Sequence, residues 1–386
     1  MKINRIAAAC LTAAVSASMW CVPAMAGSPE FAYSAEKWAS LRDDKLEFEE
    51  IADLVHEYNH TVIKNQIAYK DERDKTNDDI AQDYYDAADN IYANIEYPDS
   101  DDSSYGSKMS AALNNEISAK QMMERGDEST DDSETLKLGY DQTEAMLVKQ
   151  AQTQMINYWS SYYNLDSLRV RAAQAEQTYQ SEETKMAAGM STQAKLLSAK
   201  ESISTAEASL QSAKSSLEKT KQDLCLMLGW SYGVDVEMGE IPAPDMDKIA
   251  SIDLEQDIQT ALENNYSLKL TNKRVLNART ETVKNTQLQT QKNQTEAVAA
   301  SVKNSYASLV LAQSNYEQAK QAYELELNTY ETAKRKLQAG TMTPNNFKKQ
   351  EDSCLTAEVM LKSRELQLVQ AQVDYDWAVR GLASAS

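Results

Sequence analysis

Glycine and proline are scarce, with 10 and 6 in 386 residues, which is about 4% together where an average protein carries roughly 12%. So few turn formers cannot supply the tight turns of a sandwich, a barrel or a doubly wound sheet, which excludes a mostly-β fold and leaves long helices as the default. Basic charge is also short: 39 Lys and Arg face 59 Asp and Glu, a net charge of −20. Phosphate neutralisation by Lys and Arg supplies most nucleic-acid affinity, so this balance argues against DNA or RNA as partner. Beyond the first 26 residues no stretch approaches 18 consecutive apolar positions, so any membrane contact uses a device other than a spanning helix. No phosphate-cradling glycine loop and no Gly-x-Ser-x-Gly elbow occurs. No cofactor is implied, and the chain reads as a non-enzyme.

Residues 1–26 have the parts of a secretory signal: Lys2 and Arg5, the apolar stretch Ile6 to Trp20, and the small-x-small site Ala24-Met25-Ala26. Cleavage there starts the mature chain at Gly27 in an extracytoplasmic compartment, with 37 basic and 59 acidic residues left. Lipid attachment at Cys21 is opposed by the bulky Met19-Trp20 before it. Two of the four cysteines leave with the signal, and Cys225 and Cys354 remain. They sit 36 and 14 residues beyond the glycines Gly189 and Gly340. If equivalent helices lie side by side, that is roughly 33 Å of height difference, too far for a disulfide. Two packed, unpaired thiols are expected.

The chain contains one unit written twice. Phe48-Glu49-Glu50-Ile51 to Glu57-Tyr58-Asn59 aligns with Leu254-Glu255-Gln256-Asp257 to Glu263-Asn264-Asn265 at an offset of 206. Lys185-Met186-Ala187-Ala188-Gly189 aligns with Lys336-Leu337-Gln338-Ala339-Gly340 at an offset of 151. The difference of 55 is extra length in the first copy. Each copy reads as helix, reversal, long helix, Gly-centred turn, long helix. Leu196, Ile203, Leu210, Leu217 and Leu224 recur every seven residues, with Ala199, Ala206 and Ala213 between them. Phe347, Cys354, Leu361, Leu368 and Tyr375 form the matching column of copy two, and Leu309, Tyr316, Tyr323, Tyr330 and Leu337 that of the helix before it. The Tyr column reads as core packing.

The fold class is therefore all-α, two repeats of long antiparallel coiled-coil helical hairpins whose stripes must pack on each other or on other subunits. The divisions are a signal at 1–26, an N-terminal linker at 27–44, repeat 1 at 45–228 with an inserted helical lobe at about 76–140, a linker at 229–251 and repeat 2 at 252–383. The second descending helix is expected from near Thr295 to Ala339, after a polar connection Asn285 to Thr295. The acidic runs at Asp99, Asp101 and Asp102, and at Asp127, Glu128, Asp131 and Asp132, lack calcium-loop order and read as solvated loops.

Two features invite a functional reading. The turns Ala188-Gly189-Met190 and Ala339-Gly340-Thr341 place a helix-ending Gly before capping residues Ser191, Thr192 and Thr343, with Pro344 suited to a first turn. They form a paired exposed tip, a natural docking element. His56-Glu57-Tyr58-Asn59-His60 fits H-E-x-x-H, in which two His one turn apart bind zinc and the Glu activates water. Against it, these are the only two His, and the repeat sets them opposite Leu262 and Tyr266.

The ordered, duplicated set resembles the TolC-like outer-membrane efflux proteins, over roughly residues 45–75 and 140–383. Leu254-Glu255-Gln256-Asp257-Ile258 with Ala261-Leu262-Glu263-Asn264-Asn265 is similar to that family's opening helix, and Ala339-Gly340-Thr341 after Tyr330 and Lys334-Arg335 is similar to its hairpin tip. The resemblance implies a homotrimeric duct, a twelve-helix barrel of three chains, whose tips, Ala188, Gly189, Met190, Ala339, Gly340 and Thr341 here, contact the periplasmic adaptor of an efflux or secretion system. The chain departs from the family in having Ala194 and Asn345 where an Asp often follows the tip, and in lacking evident membrane strands. A monomeric helical spacer or scaffold, and a zinc hydrolase on His56, Glu57 and His60, are the alternatives.

Overall fold

The computed structural model describes residues 28, 29, 31–101 and 103–385. The expected signal segment lies outside the described residues, as does Asp102 of the first acidic loop. Twelve α-helices are present among them. The N-terminal linker holds α1 (Ala35–Ser40), and copy one holds α2 (Ile51–Tyr58), α3 (His60–Glu72), α4 (Asn77–Ala93), α5 (Tyr105–Glu128), α6 (Ser133–Ala187) and α7 (Gln193–Met227). The linker carries α8 (Met246–Ala250), and copy two holds α9 (Leu254–Asn264), α10 (Tyr266–Asn277), α11 (Glu281–Gln338) and α12 (Pro344–Trp377). A short irregular turn, Ala378–Leu382, follows α12.

The long helices α6 and α11 have 55 and 58 residues, about 82 and 87 Å at 1.5 Å per residue. Helix α11 thus starts well before the expected Thr295, and the polar run Asn285 to Thr295 is helix, not connection. Thr280 caps its start through the Val283 amide. Within the run the threonine hydroxyls bond the carbonyl one turn back: Thr286 to Thr282, Thr290 to Thr286 and Thr295 to Gln291, at 2.8–3.0 Å. Side chains that compete with helix elsewhere are absorbed by the helix itself here.

The only strands among the described residues are β1 (Lys45–Leu46) and β2 (Glu237–Met238), which pair in parallel. They tie the start of copy one to the linker after it, and Trp159 on α6 donates its indole N–H to the Gly239 carbonyl at 2.8 Å. Packing concentrates at the ends of the hairpins away from the tips. In copy one Leu46, Ile51, Leu54, Val55, Met155, Leu224, Leu228 and Val236 bury one another. Copy two repeats this with Ile258, Leu268, Val298, Val302, Leu309, Leu368 and Tyr375. Ile156 of α6 with Leu366 and Val369 of α12 joins the two hairpins.

Helices α4 and α5 form a side hairpin that packs chiefly on itself. Its interior holds small residues at seven-residue spacing, Ala81 and Ala88 on one helix, Ala112 and Ala119 on the other. Such residues let two helices approach closely. Its base is clamped to the junction of α10 and α11: Arg279 pairs with Asp78, Arg274 with Asp131, and Asn277 donates to the Thr130 carbonyl and to Asp132.

Candidate functional site

Both hairpins reverse through the same backbone device. Gly189 and Gly340 stand at φ +72° and +70°, a left-handed conformation that only glycine adopts without strain. The Met190 amide donates to the Lys185 carbonyl at 2.8 Å, and the Thr341 amide to the Lys336 carbonyl at 2.9 Å. These bonds satisfy carbonyls that a helix end leaves open. Thr192 and Thr343 then cap α7 and α12 through the Lys195 and Asn346 amides.

The two tips lie at the same end of the molecule. Gln177 of α6 donates to Asn345 of α12 at 3.0 Å, and Gln174 donates to buried Asp352 at 3.2 Å. Gln177 is 12 residues from Gly189, whereas Asn345 is 5 from Gly340. With the Gln174 pair, this makes the first tip project about 5–10 Å beyond the second. Met190 is 73% exposed, and nothing lies within 4 Å of where a side chain would start at either glycine. Lys185 and Ser191 bond Glu182 at 2.6 Å each and hold its carboxyl below the ordinary carboxylate range. The tips are ordered knobs with open surroundings.

Behind the tips the four long helices line up as α7, α6, α12, α11, with α6 against α12 joining the pairs. Helix α7 packs substantially on α6 alone, and the tip half of α11 on α12. Their outward faces carry Leu197 on α7, and Val310, Leu311 and Leu325 on α11, each 44–67% exposed. A shallow groove on α7 is lined by Ser204, Ala208, Ser212 and Ser216. The three seams within the wall are therefore closed and its two outer edges are open.

The H-E-x-x-H spacing does not survive folding as a zinc motif. Asn59 is extended, at φ −68° and ψ 124°, and separates α2 from α3. His56 ends one helix and exposed His60 begins the next, so the two imidazoles do not share a face one turn apart. His56 Nδ1 instead bonds Glu144 on α6 at 2.8 Å. That bond raises the His56 pKa against the opposing effect of burial.

The residue that matters in this motif is Asn59, and its counterpart Asn265 does the same work in copy two. The Asn59 side-chain oxygen accepts from the Thr61 and Val62 amides, and its NH2 donates to the Met227 carbonyl at the end of α7. Asn265 accepts from the Leu268 amide and donates to the Gly381 and Ala383 carbonyls past the end of α12. Each Asn kinks an opening helix and pins it to the far end of its own hairpin. Gly229 and Gly381 allow the approach: a Cβ there would stand 2.4 Å from Tyr58 Cβ and 2.6 Å from the Asn264 carbonyl oxygen.

No protein-family model and no curated protein sequence matches the chain. Solved structures do match it. A membrane protein from Pseudomonas aeruginosa superposes with a TM-score of 0.55 at 11% identity, over 87% of this chain and 91% of that one. The outer-membrane channel OprN gives 0.53 at 11%, over 90% and 93%. The chain has the TolC-like fold. The outer membrane protein VceC from Vibrio cholerae, with a TM-score of 0.51 at 13% identity, covers 90% of this chain and 99% of that one. Within this TolC-like architecture, copy one carries the α4–α5 hairpin and copy two runs from α10 into α11 through three residues. No helix among the described residues is long and apolar enough to cross a membrane.

Proposed function

We propose that three copies of this chain close into a twelve-helix duct of an efflux or export system, in the extracytoplasmic space after cleavage behind Ala26. The observation that carries this reading is the four-helix wall with open edges. The α7 edge of one copy would meet the α11 edge of the next, covering Leu197, Val310, Leu311 and Leu325 and leaving no unpartnered seam after three repetitions. Long hairpins cannot bury such stripes alone. Small side chains on α7 let the neighbouring helix come close.

In this reading Ala188, Gly189, Met190, Ala339, Gly340 and Thr341 are the adaptor contact. The left-handed glycines expose backbone and leave room for a partner's side chains on both knobs, and the stagger gives the docking surface two levels. In this reading transport through the duct is passive, and the driving force belongs to an inner-membrane partner. The experiment is efflux of ethidium from cells lacking the gene and complemented with variants. The wild-type chain restores efflux. A Gly189→Trp, Gly340→Trp double variant does not, although its oligomer forms. Full efflux by that variant would refute tip docking.

A further inference from the structure

We propose that the α4–α5 hairpin is a docking arm for a partner protein, and that it receives an amphipathic helix whose apolar stripe is flanked by Lys or Arg. The hairpin is built inside out. Between its helices lie Ala81, Ala88, Ala112 and Ala119, each at most 2% exposed. An alanine core holds two helices close but buries little apolar area. The large apolar side chains stand outside: Leu113 is 49% exposed, Ile117 56%, Tyr97 58% and Tyr92 38%. A helix pair that turns its large side chains to water lacks the third element that would cover them.

Helix geometry sets the apolar and acidic residues on one face. Leu113 and Ile117 are one turn apart on α5, rotated about 100–140° from Ala112 at 3.6 residues per turn. Asp86 and Asp89 on α4 are rotated about 80–140° from Ala81 in the same sense, and in an antiparallel pair equal rotations lead to the same side. Two hydrogen bonds cross between the strands of the hairpin on that side, Tyr85 to Asp127 at 2.8 Å and Tyr97 to Glu116 at 3.5 Å. Leu113 and Ile117 thus adjoin an exposed acidic margin of Asp86, Asp89 and Glu96.

Charge selects the occupant. Residues 77–101 hold eight acidic side chains and no Lys or Arg. At the base Asp78 is paired with Arg279 and Asp83 with Lys75, whereas Asp86, Asp89 and Glu96 have no basic partner among the described residues. Away from the base, Lys120 is the one basic side chain on this face among the described residues. A second copy's arm would bring the same acidic margin against this one, and a surface of anionic lipid would be repelled as well. A helix with Lys or Arg beside its apolar stripe satisfies both features at once. The arm is clamped at the start of α11, and the 58 residues of that helix set its base about 87 Å from the second tip. This surface is therefore separate from the tips, and it exists in one chain whether or not three chains close.

The test is fluorescence anisotropy of a fluorescein-labelled Leu–Lys amphipathic helix of about 18 residues, five turns, titrated with the mature chain. It should bind at least about tenfold tighter than the same peptide with every Leu replaced by Ser, or with every Lys replaced by Glu. Leu113→Ser with Ile117→Ser should weaken it about tenfold through lost apolar contact. Asp86→Asn with Asp89→Asn should flatten its dependence on NaCl. All four positions are exposed, so far-UV melts of these variants should match the unsubstituted chain. Replacing residues 80–128 by a short Gly-Ser linker should abolish binding. Binding that survives this replacement lies elsewhere on the chain and overturns the proposal. So does equal binding of the Ser peptide, which would reduce the face to bare negative charge. Arm-dependent sedimentation with phosphatidylglycerol vesicles would give the face to lipid, and an arm-dependent subunit count would give it to a second copy; either overturns the proposal.

Discussion

Replacing Asn265 by Ala should cost this fold far more than one exposed side chain suggests. Asn265 is 1% exposed and satisfies three backbone groups: the Leu268 amide at 3.1 Å, and the Gly381 and Ala383 carbonyls at 3.1 and 2.9 Å. The lost cap costs about 1 kcal/mol. Each carbonyl left buried without a donor adds at least about 1 kcal/mol, for a total near 3 kcal/mol. For a mature chain of about 360 residues, an unfolding entropy of about 2.1 cal/mol/K per residue turns this into a Tm drop of about 4 °C. The assay is thermal unfolding followed by far-UV circular dichroism at one fixed protein concentration, because association shifts Tm. Asn293→Ala, an exposed change on α11, is the control and should move Tm little. Asn265→Asp separates the two roles. It keeps the cap acceptor but sets an anion against two carbonyl oxygens, so its drop should exceed that of Ala. If Asn265→Ala matches the control within about 1 °C, the pin is not holding the hairpin end.

Four further outcomes follow from the same geometry. Gly189→Ala and Gly340→Ala meet open space and should each cost about 1 kcal/mol of left-handed strain, whereas Gly229→Ala and Gly381→Ala add a clash at 2.4–2.6 Å and should cost at least twice as much in the same melts. Cys225 and Cys354 are unpaired and buried, and burial pushes both thiols up; a thiol-reactive dye should find neither in the native mature chain and both after denaturation. Replacing residues 80–128 by a short Gly-Ser linker should leave the helical content of the remainder intact, since the retained Asn77 bonds the Ser129 and Asp131 carbonyls and holds the two ends together. His56 gains its partner Glu144 on folding, so its contribution is complete below about pH 6.5 and fades as pH rises through its raised folded value; the pair is partly exposed and worth less than about 1 kcal/mol, and His56→Gln should flatten that part of the stability profile.

Much of the scaffold was legible because it is written in a period. The leucine and alanine columns of α7 and α12 set helix type and the packed face, and the glycine-threonine pairs at both tips set the reversals and caps. The start of α11 was not legible, because Asn and Thr are poor helix formers in isolation and nothing in the string shows that Thr286, Thr290 and Thr295 turn back on their own helix. The strand pair was too short to carry a pattern. The histidine motif misled because spacing alone assumes one continuous helix, and Asn59 breaks it. The duplicated Glu-x-Asn ending of α2 and α9 was the available signal for both asparagine pins. Their partners, more than 100 residues away, appear only on folding.

The most direct test of the central claim is the subunit count of the mature chain by native mass spectrometry in mild detergent. Open α7 and α11 edges that complete one another across copies require a particle of three chains, intact across a dilution series. A single-chain species under the same conditions would contradict the closed twelve-helix duct.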